Sequence, residues 1–313
     1  MNQKTTIYQT FDRFGRALIG SRDVDPVYPF VKSLVKKKDF EPEWFVFVYV
    51  AFYNLESAIQ ICEEMPTRED WDATKFRQLR TRIKKFGHER RGTCRNVDNQ
   101  VIMLDAVVEA IDIIHKERMG EIHAPILDDN PSFRDFLMGL PFHGLWASYK
   151  IAELFEKSLG YSSLRIEDLG LTGRDPNSND GPVGGLRHLY GREEMYDESF
   201  FPVWNRFGFN LAKAWGVDIG EVETCFCKFH KLVSGKYHIG HDIEEFIELS
   251  HVLDRKTYKS IMRENFDERL WEGLPGLMKP NKSKFSKEGL LLNADFGDKY
   301  PKADVFQILM ETD

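Results

Sequence analysis

The stretch "WFVFVYVAFYNLESAIQIC", residues 44–62, decides the fold class. It begins with residues typical of strands, but its apolar positions from Leu55 to Cys62 continue at helical spacing and no turn signal interrupts them. We therefore predict a buried helix. The longest apolar run, residues 44–53, is shorter than the roughly 20 residues that cross a bilayer, so we expect core packing and no membrane partner.

Helical periodicity continues on both sides of this stretch. Residues 131–160 read as helix, a short break at "GLPFHG" and a second helix, with Gly160 suited to a left-handed C-terminal cap. Asp218 and Glu221 form an N-cap pair. Other helices are predicted at 97–117, 198–215, 219–233 and 242–253. No alternation of strands and helices is visible, so the predicted class is mainly α.

The length fits either one large domain or two modest ones, and we predict one helical domain at residues 1–278, followed by a basic linker and C-terminal tail at 279–313. The four cysteines are too few and too irregularly spaced for a disulfide framework. The N-terminal residues lack the pattern of a secretion signal. We therefore expect a cytoplasmic protein.

Positive charge is concentrated in one segment of a chain whose net charge is −7. It centres on "KKFGHERRGTCRN", residues 84–96. The guanidinium groups of Arg90, Arg91 and Arg95 could bind phosphates bidentately. The alternative is a solvated helix face.

A second candidate segment, "GRDPNSNDGPVGGLRHLYG" at residues 173–191, lies in a region (161–193) that we expect to be largely loop. Gly184 and Gly185 would let backbone amides approach an anion, while Asn179 and Arg187 supply hydrogen bonds and charge. A plain surface loop explains the same composition.

The third segment is "VETCFCKFHKLVSGKYHIGHDIEEF", residues 222–246. It brings acids, a lysine, a tyrosine and histidines close together in sequence. The spacing of its cysteines and histidines fits no standard zinc finger, so we predict no metal and no cofactor. The chain also has no phosphate loop, dinucleotide fingerprint or H-E-x-x-H motif.

These segments, together with "DPVYPFVKSL" at residues 25–34, resemble phage proteins of thymine hypermodification. The group includes α-glutamyl/putrescinyl thymine pyrophosphorylases, amino acid:DNA transferases and the helical domain of 5-hydroxymethyldeoxyuridine DNA kinases. The resemblance covers roughly residues 24–250. It implies a fold like the helix-hairpin-helix DNA glycosylases, with the hairpin in "GLPFHGLWASYKIAELF" (residues 139–155).

The resemblance also implies a reaction on DNA that carries modified thymine or uracil. A DNA base kinase would act upstream, and a transferase would then replace the (pyro)phosphate on activated 5-hydroxymethyluracil with the amine of an amino acid or polyamine. This chain lacks the P-loop of the kinases, so it is more similar to the transferases.

Site roles follow from that reaction. The arginines Arg90, Arg91, Arg95 and Arg187 would neutralise the departing pyrophosphate. Glu223, Tyr237 or Asp242 would take a proton from the incoming amine, and Lys228 would balance the leaving group or bind a substrate carboxylate. The target base would be flipped out of the duplex.

Two other functions fit the sequence. One is a DNA glycosylase or lyase that acts on a modified base, for which Lys150 and Asp180 are the nearest candidates. The other is a DNA-binding module, without catalysis, that recruits the modification machinery.

Overall fold

The computed structural model describes residues 3–82, 96–178, 181–191, 197–271 and 294–312. This part of the chain is mainly helical and contains no strand, which confirms the predicted class. None of its helices combines the length and the apolar character needed to span a bilayer.

Fourteen α-helices lie within the described ranges. They are α1 (Gln3–Gly20), α2 (Val27–Lys38), α3 (Pro42–Phe52), α4 (Leu55–Glu64), α5 (Ala73–Arg82), α6 (Val97–Arg118), α7 (Asn130–Met138), α8 (Leu145–Leu154), α9 (Gly181–Tyr190), α10 (Phe201–Trp215), α11 (Ile219–Val233), α12 (His241–Ile247), α13 (Arg255–Asn265) and α14 (Val305–Thr312).

The stretch 44–62 forms two helices rather than the single helix predicted. Tyr53 adopts a left-handed conformation (φ 48°) that ends α3. The side chain of Asn54 then accepts a hydrogen bond from the Ser57 amide at 2.8 Å and so caps the start of α4. In a continuous helix this amide would bond to a backbone carbonyl, whereas here the Asn54 side chain satisfies it. The helix therefore breaks at a place that contains neither glycine nor proline.

Several helix boundaries match the sequence predictions. Helix α6 begins at Val97, as predicted, and α11 covers the predicted residues 219–233. The Asp218 and Glu221 side chains form the reciprocal capping box at the start of α11. Gly160 has the left-handed conformation (φ 86°) expected of a helix C-terminus. Local capping chemistry and apolar periodicity together fix these ends.

The predicted loop at 161–193 is only partly a loop. Residues 181–190 form α9, most of which is buried. The sequence signal was misleading here because glycine usually disfavours helix interiors. In α9 a glycine allows close packing instead, because Gly185 lies directly against the backbone of Phe226 in α11.

The described chain divides into two compact units, whereas the sequence suggested one domain ending at residue 278. The first unit comprises Met1–Pro26, Glu167–Glu248 and Met262–Asp313, and the second comprises Val27–Ile166 and Leu249–Ile261. In the first unit, helices α1, α9, α10, α11 and α14 enclose an aromatic core. The ring of Phe11 stacks on Phe226 at 5.0 Å and contacts the edge of Phe229 at 4.9 Å.

Residues 294–312, predicted as part of a C-terminal tail, belong to the first unit. The Asp12 side chain of α1 accepts a hydrogen bond from the Ala303 amide at 2.9 Å. Arg16, one turn later, donates to the carbonyl of Gly297 at 3.1 Å. This segment therefore packs against α1 as part of the fold, although few of its residues indicate such packing in the sequence.

The second unit is built around α3. Residues 43–52 of this helix are all buried, and they pack against α4, α6 and α8. The indole of Trp44 donates to the carbonyl of Met65 at 2.8 Å, which ties α3 to the end of α4. The prediction that this apolar stretch forms core is confirmed.

Close packing of α9 on α11 yields a stability prediction. A Cβ atom at Gly185 would lie 2.1 Å from the carbonyl oxygen of Phe226, and backbone cannot move aside cheaply. Gly185→Ala should therefore lower the free energy of unfolding by about 3 kcal/mol or more, measured by urea denaturation. Gly144→Ala, where no atom lies within 4 Å of the added Cβ, is the control and should cost about 1 kcal/mol or less. Equal effects of the two substitutions would contradict this packing.

Candidate active site

The first unit brings three of the four predicted catalytic residues into contact. Lys228 lies on α11, Tyr237 lies in the turn that follows, and Asp242 lies in the first turn of α12. The Lys228 ammonium is 2.7 Å from the Asp242 carboxylate and 5.1 Å from the centre of the Tyr237 ring. Lys228 is only 5% exposed, so its charge is held inside the protein.

Asp23, which was not among the residues predicted from the sequence, lies at the centre of this group. It sits in the short connection between α1 and α2 and is fully buried. Its main-chain carbonyl accepts a hydrogen bond from Lys228, and its carboxylate accepts one from the Tyr237 hydroxyl. The amides of Gly240 (2.8 Å) and Ile243 (3.3 Å) also donate to this carboxylate. Asp23 thus ties the α1–α2 connection to α11 and α12.

Glu223, the fourth predicted catalytic residue, joins the group through Thr224. The Thr224 hydroxyl donates to Asp25 at 2.5 Å and lies 3.3 Å from the Glu223 carboxylate. The other Glu223 oxygen accepts from the Cys227 thiol at 3.2 Å. We call the whole group the Lys228 cluster; its members are Asp23, Asp25, Glu223, Thr224, Lys228, Tyr237 and Asp242.

Lys228 and Asp242 form an ion pair within the Lys228 cluster. Burial lowers the pKa of Lys228, but the charges of Asp242 and Asp23 outweigh this effect and hold the pKa above its ordinary value. Burial likewise raises the pKa of Asp242, yet Lys228 holds it well below its usual range. Both groups are therefore charged at neutral pH.

Asp23 differs from Asp242 in its proton affinity. Burial raises the pKa of Asp23 to about 6, and the charge of Asp242 acts in the same direction. The Lys228 charge and the hydrogen bonds from Tyr237 and Gly240 oppose this change without cancelling it. Because the shift depends on burial, Asp23 should bind its proton more tightly in the folded protein than in the unfolded chain.

That difference predicts a pH dependence of stability. Between about pH 4 and pH 6, Asp23 is ionised in the unfolded chain while it still holds its proton in the folded protein, so its contribution to stability is lost as the pH rises. The free energy of unfolding of the wild type, relative to Asp23→Asn, should fall by on the order of 2–3 kcal/mol over this window. Denaturant titrations at several pH values measure it, and a constant difference would contradict the assigned environment.

Tyr237 is unsuited to the proton-accepting role considered for it. Its side chain is 1% exposed, and burial together with the Asp23 carboxylate raises the pKa of its phenol well above the ordinary value. The hydroxyl therefore remains protonated and donates to Asp23. Tyr237 is therefore a positioning residue, whose hydroxyl holds the buried Asp23 carboxylate.

The accessible edge of the cluster consists of Asp242 and its neighbour His241. About a third of each side chain is exposed, and the His241 Nδ1 atom lies 3.0 Å from an Asp242 oxygen. The second Asp242 oxygen binds Lys228. A carboxylate that orients an imidazole is an arrangement used for general base catalysis. The sequence placed His241 near the other groups but did not identify it as a catalytic candidate.

The predicted phosphate-binding residues are only partly covered by the structure. Arg90, Arg91, Arg95 and Asn179 lie outside the described residues, so their roles stay predictions. Gly184 and Gly185 are buried in α9 rather than in a loop, and Gly185 contacts the helix that carries Glu223 and Lys228. Arg187 donates to the carbonyls of Asn177 and Ser178 and so holds the preceding loop against α9.

The cysteines of α11 are deeply placed. Cys225 is fully buried and lies 3.9 Å from the carbonyl of Gly15, and Cys227 contacts Glu223. Burial raises the pKa of both thiols well above the ordinary value, and nearby carboxylates add to this effect. Protonated thiols are poor nucleophiles and poor metal ligands, so neither thiol is proposed as a catalytic or metal-binding group.

In comparisons with known proteins, no protein-family model, curated protein or solved structure matches the chain.

Proposed function

We propose that the protein is a transferase that places an amine on activated 5-hydroxymethyluracil in DNA. In this reaction the amine nitrogen attacks the 5-methylene carbon, the carbon–oxygen bond breaks, and pyrophosphate or phosphate departs with the bonding electrons. The amine loses one proton to the protein. The observation that carries the proposal is the His241–Asp242 pair at the accessible edge of a buried, acidic group of side chains.

The pair supplies what the nucleophile needs. An amine is protonated at neutral pH, so it must be attracted as a cation and then lose its proton before it can attack. For the first step, Asp242, whose side chain is about a third exposed, supplies negative charge at the accessible edge. For the second step, His241 accepts the proton while Asp242, kept charged by Lys228, holds the imidazole ring and stabilises its charged form.

Lys228 takes a different role from the one suggested by the sequence. Its ammonium is buried and bound to Asp242 and to the Asp23 carbonyl, so it is not placed to bind a substrate carboxylate. We assign it to positioning of Asp242. Neutralisation of the departing pyrophosphate is proposed for Arg90, Arg91 and Arg95. Arg187, the fourth arginine predicted for this role, donates to the carbonyls of Asn177 and Ser178.

DNA recognition is proposed for the connection between α7 and α8 in the second unit. This connection corresponds to the predicted hairpin, and the fold is proposed to resemble the helix-hairpin-helix DNA glycosylases. Phe142 adopts a left-handed conformation (φ 63°), and it and Leu145 are 36% and 40% exposed. In this proposal the two exposed apolar side chains contact the DNA.

Nucleoside mass spectrometry tests the proposed function. The purified protein is incubated with DNA that contains pyrophosphorylated 5-hydroxymethyluracil and with a pool of amino acids and polyamines. We expect a new amine adduct that is lost when Arg91 or Asp242 is neutralised. Release of a free base would support a glycosylase instead. Unchanged nucleosides with intact DNA binding would favour a recruiting module.

A further inference from the structure

Three side chains with metal-binding chemistry meet in the second unit, in a group that the proposed function does not use. Glu41 precedes α3, Glu43 lies in its first turn, and His115 lies on α6. One ligand atom from each lies within 4.8 Å of the others. The His115 Nε2 atom is 3.8 Å from Glu41 Oε1 and 3.7 Å from Glu43 Oε2.

These separations are too long for hydrogen bonds. The His115 Nε2 atom is buried and has no hydrogen-bond partner within the part of the chain that the structure describes. A buried polar atom left in this state costs about 1–3 kcal/mol. A cation bound to this nitrogen and to the two carboxylate oxygens near it would supply the missing partner.

The spacing is close to that of such a site. Zinc binds imidazole nitrogen and carboxylate oxygen at about 2.0–2.2 Å, so two ligand atoms at the tetrahedral angle lie roughly 3.3–3.6 Å apart. The separations of 3.8 Å and 3.7 Å from His115 Nε2 to the two glutamates are slightly longer, so small side-chain movements would bring all three groups to coordination distance. Calcium and magnesium prefer oxygen ligands, so an imidazole in the group favours a first-row transition ion.

Both carboxylates are held by other residues, as metal-binding carboxylates commonly are. Glu43 Oε1 accepts hydrogen bonds from the Tyr161 hydroxyl at 2.5 Å and from Arg118 at 3.0 Å. The Glu41 Oε1 atom, which lies 3.8 Å from His115 Nε2, also pairs with the Arg68 guanidinium, and Glu41 Oε2 accepts from the Arg68 amide at 2.7 Å. Each glutamate thus already has an arginine partner, and ion pairing does not require a charged His115.

We propose that Glu41, Glu43 and His115 bind one divalent transition-metal ion, with zinc as the probe ion of choice. The ion links the start of α3 to α6 and leaves at least one coordination position for water or another ligand. This site goes beyond the proposed transferase function and does not depend on it. It is also unexpected from the sequence, where Glu41 and His115 are 74 residues apart and form no spacing motif.

Calorimetric titration of zinc chloride into the chelator-treated full-length protein tests the site. We expect the wild type to bind one ion at this site and to gain thermal stability in its presence. His115→Ala should weaken binding by at least about 100-fold, beyond the effect of losing a supporting residue. His123→Ala, an exposed histidine of the same unit, is the matched control and should bind as the wild type does.

Two further variants keep the test decisive. Tyr161→Phe removes one hydrogen bond to Glu43 and should weaken zinc binding by about 10-fold. If circular dichroism shows that His115→Ala is unfolded, Glu43→Gln replaces it. The proposal is overturned if the wild type binds no zinc, or if folded His115→Ala or Glu43→Gln binds zinc as tightly as His123→Ala does.

Discussion

Lys228→Met is expected to lower the free energy of unfolding by about 3–5 kcal/mol. Methionine keeps most of the apolar stem, so the substitution mainly removes the buried ammonium. Asp242 and Asp23 then lose the positive charge that both face, and the Asp23 carbonyl loses a donor. Urea denaturation at neutral pH, followed by circular dichroism, measures the effect.

The control lies on the same helix. Lys231 is exposed, and Lys231→Met should change the free energy of unfolding by about 0.5 kcal/mol or less. The loss in Lys228→Met should also shrink as the pH falls, because protonation of the carboxylates removes their need for a cation. Addition of Asp242→Asn to Lys228→Met should recover part of the loss. If Lys228→Met and Lys231→Met are equally stable, the Lys228 cluster is not held together as described.

His241→Ala is expected to lower the rate of amine transfer by about 10²–10⁴-fold, the usual contribution of a positioned general base. The side chain is a third exposed, so its loss should leave stability nearly unchanged and act on the chemical step. Single-turnover kinetics with activated DNA and one amine separate this step from DNA binding. The rate of Asp242→Asn should also fall, because the imidazole loses the carboxylate that orients it.

A histidine elsewhere in the chain serves as the control for this rate. His251 is exposed and lies outside the first unit, so His251→Ala should transfer the amine as fast as the wild type. If His241→Ala retains the wild-type rate while Asp242→Asn does not, Asp242 itself accepts the proton. If both variants keep the full rate, the Lys228 cluster is not the site of transfer.

Sequence patterns predicted those parts of the fold that depend on neighbouring residues. Helix α11 and its capping box were predicted from residues 218–233 alone, since apolar spacing and cap residues are local signals. The break after Tyr53 was missed because a left-handed tyrosine followed by an asparagine cap is a weak signal inside an apolar run. Helix α9 was missed because Gly185 is required by its close contact with the Phe226 backbone in α11, which no local pattern shows.

The residues of the candidate site also divide into those that local sequence patterns show and those that they do not. Lys228, Tyr237 and Asp242 lie within one short segment, and their shared location was visible as a concentration of reactive residue types. Asp23 could not be identified in this way, because it is 214 residues from Tyr237 in the sequence. Its role also depends on hydrogen bonds from backbone amides, which any sequence supplies. The Asp12 side chain, which holds the C-terminal segment through the Ala303 amide, is a comparable case.

Simultaneous measurement of pyrophosphate release and amine adduct formation tests the central proposal most directly. Wild-type protein, given pyrophosphorylated 5-hydroxymethyluracil DNA and an accepted amine, should release one pyrophosphate for each adduct formed, and Asp242→Asn should lose both products together. Pyrophosphate released without an adduct, a free base, or no product from DNA that the protein binds would contradict amine transfer at the Lys228 cluster.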